Sequence, residues 1–206
     1  MRINFVQNIL DKINHKQKVI VKNLGKNNII NFPKLNTGNL KISVYGNNNQ
    51  VSIGDIGYFR GEISVGSKDC PVENCKVSIG NKTTSNGVSI ILLENNSYIT
   101  IGEDCMFSSG IYIACSDTHT ITDMDENLIN LGHYVTIGNH VWVGMNSHIG
   151  KDVSISDNSI VGMSSVVTSK IPFPKNSIIA GNPAKVVKNN IKWNRLRPQQ
   201  YIQQGK

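Results

Sequence analysis

The sequence predicts an all-β fold, a parallel β-helix wound from hexapeptide coils, and three observations carry that prediction. Between Val135 and Thr168 an aliphatic series, Ile137, Val143, Ile149, Ile155, Val161 and Val167, recurs every six residues without a slip. Two places earlier runs a second series, Val135, Val141, Ser147, Val153, Ser159 and Ser165, which stays aliphatic or small. Residues two apart on a strand share a face, so each hexad reads as a short strand with two inward side chains and a turn that often carries glycine, as at Gly138, Gly144, Gly150 and Gly162. Three such strands close one triangular coil. The same signature recurs upstream as VSIG from Val51, ISVG from Ile63, VSIG from Val77 and ITIG from Ile99, and Val65, Ile101 and Ile137 stand 36 residues apart, two full coils. Fixed-period repetition of this kind marks a solenoid, whose coils bury their apolar faces only by stacking. Composition agrees, because Asn, Ser, Gly, Ile and Val abound while Ala and Glu are scarce, which excludes helical bundles and coiled coils.

The 206 residues suffice for one main domain, divided into three segments. Residues 1–39 form a lead-in, in which Ile3, Val6, Ile9, Leu10 and Ile13 fall at helical spacing and predict a short amphipathic helix. Residues 40–187 form the β-helix. Its beat is broken over 67–76 and 80–96, where SKDCPVENCK and NKTTSNG read as turn or loop excursions. It is broken again between Ile113 and Ile137. Extending the Ile101, Phe107, Ile113 series by one step lands on His119, an imidazole where an aliphatic residue was due. Residues 188–206 form a tail in which Trp193 and Leu196 suggest a short helix capping the last coil.

A formal charge of +7 points to an anionic partner, yet no dense Lys/Arg block of the nucleic-acid kind occurs. Cys70, Cys75, Cys105 and Cys115 lack zinc-finger spacing, so reduced thiols in a cytoplasmic protein are expected. No signal peptide or membrane-spanning run is expected either.

HVWVGMNSHIG, DNSIVGMSSVVTSKIP and above all NSIIAGNPAKVV closely resemble the hexapeptide-repeat acyltransferases, and the resemblance implies a left-handed β-helix. SDTHTITD followed by HVWVG is most similar to the sugar O-acetyltransferases of bacterial surface polysaccharides, capsular sialic acid and O-antigen among their acceptors. Ser147 and His148 depart from the small or aliphatic residues that usually follow GMN. The resemblance implies that His119 and Trp142 are the functional pair, that the active site lies between protomers of a homotrimer, and that acetyl-CoA is the donor. Its pantetheine would lie along the turns near Gly162, Met163, Ser164 and Ala180, with Lys185 and Lys188 as candidates for its phosphates.

The chemistry suits these residue types. An alcohol attacks a thioester only as its proton is removed, and an imidazole is the side chain best suited to take that proton near neutrality. Asp117 is a candidate to orient His119, and a backbone N–H near Gly144 or Met145 is a candidate donor to the developing oxyanion. Alternation between inward Val141 and Val143 turns the Trp142 indole outward, against cofactor, sugar or a neighbouring subunit. His133, His140 and His148 do not have the spacing of a three-histidine zinc site, so no metal is expected; His140 reads as a surface turn residue. An acyl-cysteine route through Cys105 or Cys115 needs a depressed thiol pKa, which leaves direct transfer as the preferred path. Two alternatives stand beside O-acetylation: N-acetylation of an amino sugar nucleotide, and a non-catalytic β-helix scaffold.

Overall fold

The computed structural model describes residues 17–33 and 38–205. The predicted N-terminal helix falls outside them. The described chain is a triangular prism of parallel strands. On the first face stack Ile29–Asn31, Gln50–Ile53, Lys76–Ile79, Tyr98–Ile101, Tyr134–Ile137 and Val153–Ile155, extended by a bridge from Ile155 to Phe173. On the second and third faces the early coils use single long strands that bend across the shared edge: Gln17–Leu24, Gly38–Tyr45, Phe59–Val65 and Thr84–Leu92. Later coils split them. Met106–Phe107, Trp142–Val143, Ile160–Val161 and Ile178–Gly181 continue the second face, while Ile111–Ala114, His148–Ile149 and Val166–Val167 continue the third.

Both predicted inward series are buried throughout, and the serines among them bind backbone rather than lie unsatisfied. Ser147 donates from Oγ to the carbonyl of Gly162 (2.9 Å) and Ser159 to that of Pro174 (3.2 Å), which allows a polar atom in an otherwise apolar column. The turns use left-handed residues other than glycine, mostly asparagine: Asn146, Asn158 and Asn176 all have φ near +60°.

Two expectations change. Strand pairing reaches back to Gln17, whose strand lies parallel to Gly38–Tyr45, so the lead-in contributes rungs of the prism. Residues 80–96 are not an excursion, since Thr84–Leu92 is the longest strand among the described residues. The polar residues that hid it satisfy themselves internally: Thr83 Oγ1 donates to Gly102 O and Ser85 Oγ to Arg60 O. The last strand, Ala184–Lys188, turns back antiparallel on Ile178–Gly181 and ends the solenoid.

The tail does not cap that end. Ile191 donates its N–H to Asn176 O, Trp193 reaches His140, and Arg195 reaches Asp104 and Lys82 O, so the chain climbs back along the edge between the first and second faces. Its helix, Pro198–Gln203, starts after this climb and buries no residue.

Candidate active site

The excursion that carries His119 leaves the third face after Ala114 and rejoins the first face at Tyr134. It therefore springs from the edge between those two faces. Thr122 and Leu128 bridge antiparallel, Asp123 accepts the N–H groups of Asp125 and Asn127, and the result is a hairpin-like arm. Ile121, Met124, Leu128, Ile129 and Leu131 are all exposed on it, Met124 by 98%. One short arm thus shows five uncovered apolar side chains.

His119 is exposed, and among the described residues its ring has no hydrogen-bond partner. Its backbone is fixed. The N–H donates to Asp117 O (2.8 Å), and the carbonyl accepts from Asn130 Nδ2 (2.8 Å). Thr118 beside it is held at φ +70°, a strained value for a β-branched residue that persists only where neighbours impose it.

Asp117 makes no bond to the His119 ring, contrary to its expected orienting role. Its Oδ2 accepts from Lys151 Nζ and from Asn130 Nδ2 (3.0 Å), and the Lys151 hydrogen bond and charge hold its carboxyl below the ordinary range. Lys151 also donates to Asn130 O and so ties both legs of the arm to the next coil. Lys151 and Asn130 were missed in the sequence because both lie far in sequence from His119 and Asp117. Lys151→Met is expected to loosen the arm and, if the base is carried on it, to lower kcat about tenfold, read by steady-state kinetics, since small displacements of a reacting group are costly. The ion pair rests on a depressed carboxyl, so it is intact above the unfolded pKa and is lost as pH falls through the folded one.

Trp142 lies on the second face, 36% exposed, between outward neighbours Met106 and Ile160. The second face is opposite the edge from which the arm springs, and the arm is anchored at that edge by Lys151, by Glu94 on Gly132 N–H and by Asp152 on His133 N–H. Within one chain, His119 and Trp142 are held on opposite sides of the prism.

Past Trp142 the turn between second and third faces forms a ledge. Gly144 N–H is already bound to Val161 O (2.8 Å), so it is no oxyanion donor; among the described residues the N–H of Met145 donates to nothing. The same holds one coil on, where Gly162 N–H binds Ile179 O and Met163 N–H is free. A Cβ at Gly144 would stand 2.6 Å from Met163 N and one at Gly162 2.9 Å from Ala180 Cβ, so only glycine allows the turns to stack this tightly. Met145, Met163 and Ser164 are exposed on this ledge, and Lys185 pairs with Ala180 at its end. A narrow ledge with two N–H groups that donate to nothing among the described residues fits a slender chain of amides such as pantetheine.

The remaining candidates take other parts. His140 is not a free surface residue, because Trp193 stacks on it at 4.0 Å. His148 points outward beside Tyr112, with ring centroids 5.7 Å apart, and His133 lies 3.8 Å from Asp152 Oδ1. Among the described residues no group of three potential metal ligands forms. Burial pushes the Cys105 thiol up to about 11, and burial with the Asp152 and Glu94 charges pushes Cys115 up to about 12, which opposes an acyl-cysteine route.

Residues 134–169 match the bacterial transferase hexapeptide (six repeats) family. A polysialic acid O-acetyltransferase of Neisseria meningitidis is 38% identical over 191 residues, covering 83% of this chain and 87% of the relative. A second, from Escherichia coli O1:K1 / APEC, is 38% identical over 132 residues, covering 64% of this chain; this stretch spans 42% of that longer relative's length. The crystal structure of the polySia specific acetyltransferase NeuO superposes with a TM-score of 0.70 at 27% identity, covering 91% of this chain and 99% of that one. Repeat, fold and near full-length identity agree: the chain belongs to the hexapeptide-repeat acyltransferases of left-handed β-helix fold, among which it is similar to the polysialic acid O-acetyltransferases.

Proposed function

We propose that this protein is an acetyl-CoA-dependent O-acetyltransferase that esterifies a sugar hydroxyl of a bacterial surface polysaccharide of the sialic acid type, or of its precursor. The observation that carries the reading is the His119 imidazole, without a hydrogen-bond partner among the described residues, on an anchored arm, in a chain with a relative, 38% identical and covered to 87%, that is an O-acetyltransferase. The acetyl donor supplies a thioester. His119 takes the proton of the acceptor hydroxyl and returns it to the departing sulfur, so the imidazole ends as it began. Met145 N–H is the donor aimed at charge growing on the carbonyl oxygen, and Met163 N–H, Ser164 and Ala180 flank the chain of the donor. Lys185 lies at the end of the ledge for its phosphates, and Trp142 covers the reacting end. The surplus of basic residues suits both an anionic glycan and the phosphates of the donor.

The site is completed by assembly. His119 and Trp142 lie on opposite sides of one prism, and the exposed apolar arm needs a cover, so a homotrimer supplies the arm of one protomer to the ledge of the next. Among the described residues no helix is long and apolar enough to cross a membrane, and the reading puts the enzyme in the cytoplasm, where the donor is made.

Acetyl-CoA bearing a labelled acetyl group, offered with polysialic acid and separately with an amino sugar nucleotide, tests the proposal. The expected product is a labelled glycan that loses its label in mild alkali, as an ester does. Label found only as base-stable amide on the amino sugar would replace this reading by N-acetylation.

A further inference from the structure

The tail after the solenoid is bound more closely than a solvated terminus. Trp193 stacks on His140 with ring centroids 4.0 Å apart and planes 12° from parallel. Its indole Nε1–H donates to His140 O (2.9 Å), and its own carbonyl meets His140 Nε2 at 3.1 Å. The other ring nitrogen of His140 meets Asp104 Oδ2 at 2.8 Å, and Arg195 donates from Nε to Asp104 Oδ1 at 2.9 Å. Arg195 goes on to Thr84 Oγ1 and to the carbonyls of Lys82, Asp104 and Cys105, a whole guanidinium spent on one edge of the prism. Asp104 and Arg195 are 91 residues apart in sequence. Ordering such a terminus costs conformational entropy that these contacts must outweigh. The buried core ends at Ala184, so they are not needed to close it.

The strap reaches Trp142. The Trp193 ring stands 6.0 Å from that of Trp142, tilted by 46°, on the side of the first-to-second-face edge. The Met145 and Met163 ledge lies on the other side. We infer that Trp193 is a positioning residue, a fixed wall that holds the Trp142 indole toward the ledge, and that Arg195 on Asp104 is the latch that keeps the wall in place. This rests on the proposed placing of Trp142 in the active site. An outward tryptophan on a two-residue strand otherwise has several rotamers open to it, and those that swing toward His140 are occupied by Trp193. The substrate surface is thereby preset before binding rather than ordered during it.

The chain has two tryptophans, so Trp193→Phe leaves Trp142 as its single indole reporter. Kinetics with acetyl-CoA and polysialic acid are compared for wild type, Trp193→Ala, Trp193→Phe, Arg195→Ala and Trp142→Ala, with fluorescence quenching by acrylamide in the Trp193→Phe background. Trp193→Ala is expected to raise the KM of one substrate about tenfold with kcat within about threefold of wild type, the pattern of lost binding surface. Trp193→Phe, which keeps a stacking ring, restores KM to within about threefold. Adding Arg195→Ala to Trp193→Phe raises the quenching of Trp142 about twofold, a change that a remote structural role would not produce. If Trp193→Ala leaves both KM values within about twofold while Trp142→Ala does not, the strap is not a wall and the inference is overturned alone. If Trp142→Ala is itself silent, the active-site placing of Trp142 fails, and the inference fails with it.

Discussion

His119→Ala is expected to lower kcat by about 10²- to 10⁴-fold, with the KM of the donor little changed, since a positioned base acts on the transition state rather than on binding. The rest of the arm does not depend on the ring. Asn130 holds the carbonyl of His119, Asp117 O holds its N–H, and Lys151 anchors the legs, so all three restraints survive the substitution. The thermal midpoint of the variant therefore matches wild type. His119→Gln, which keeps a polar group of similar reach without a base, is expected to be as slow as alanine. Turnover in either variant equal to wild type would remove His119 from the chemistry.

The hexad beat was legible because inward residues must be apolar or small wherever coils stack, and from Val135 to Val167 nothing interrupts that demand. Where the inward slot holds a hydroxyl that binds backbone, as at Thr83 and Ser85, hydropathy stops reporting burial and a nine-residue strand reads as a loop. A weaker pattern concealed the coil whose described part starts at Gln17. Its strand QKVIVKNL, although followed by a turn at Gly25, alternates weakly, so pairing with Gly38–Tyr45 is what defines it. At the site, residue types were legible and partners were not. Asp117 stands two residues from His119 but pairs with Lys151, because the arm folds back on the next coil and brings an ammonium closer than the ring. Trp193 and His140 are 53 residues apart, and no local pattern announces a terminus that returns along an edge. Gly144 and Met145 were equal candidates in sequence; stacking consumes the N–H of the first and leaves that of the second.

Co-assembly of two impaired variants, His119→Ala and Trp142→Ala, should restore activity, and this is the sharpest consequence of the opposed positions of His119 and Trp142. In the proposed homotrimer, every arm of His119→Ala lacks its proposed base and every ledge of Trp142→Ala lacks its proposed cover, so neither variant contains an intact site. When equal amounts are unfolded together and refolded, protomers mix at random. A site formed between an arm from a Trp142→Ala chain and a ledge from a His119→Ala chain is then wild type in both halves, and about one site in four has that composition. Activity near a quarter of wild type, from components far below it, is the expected result. Chains refolded separately and then combined serve as the control, because exchange between folded trimers must be excluded. A site built within one protomer gives no recovery at any mixing ratio, since every chain in the mixture carries one lesion. The same experiment tests the exposed arm. A charge at Met124, Met124→Asp, adds no strain to a side chain 98% exposed in the single chain, and it prevents recovery only if a neighbour covers that side chain in the assembly.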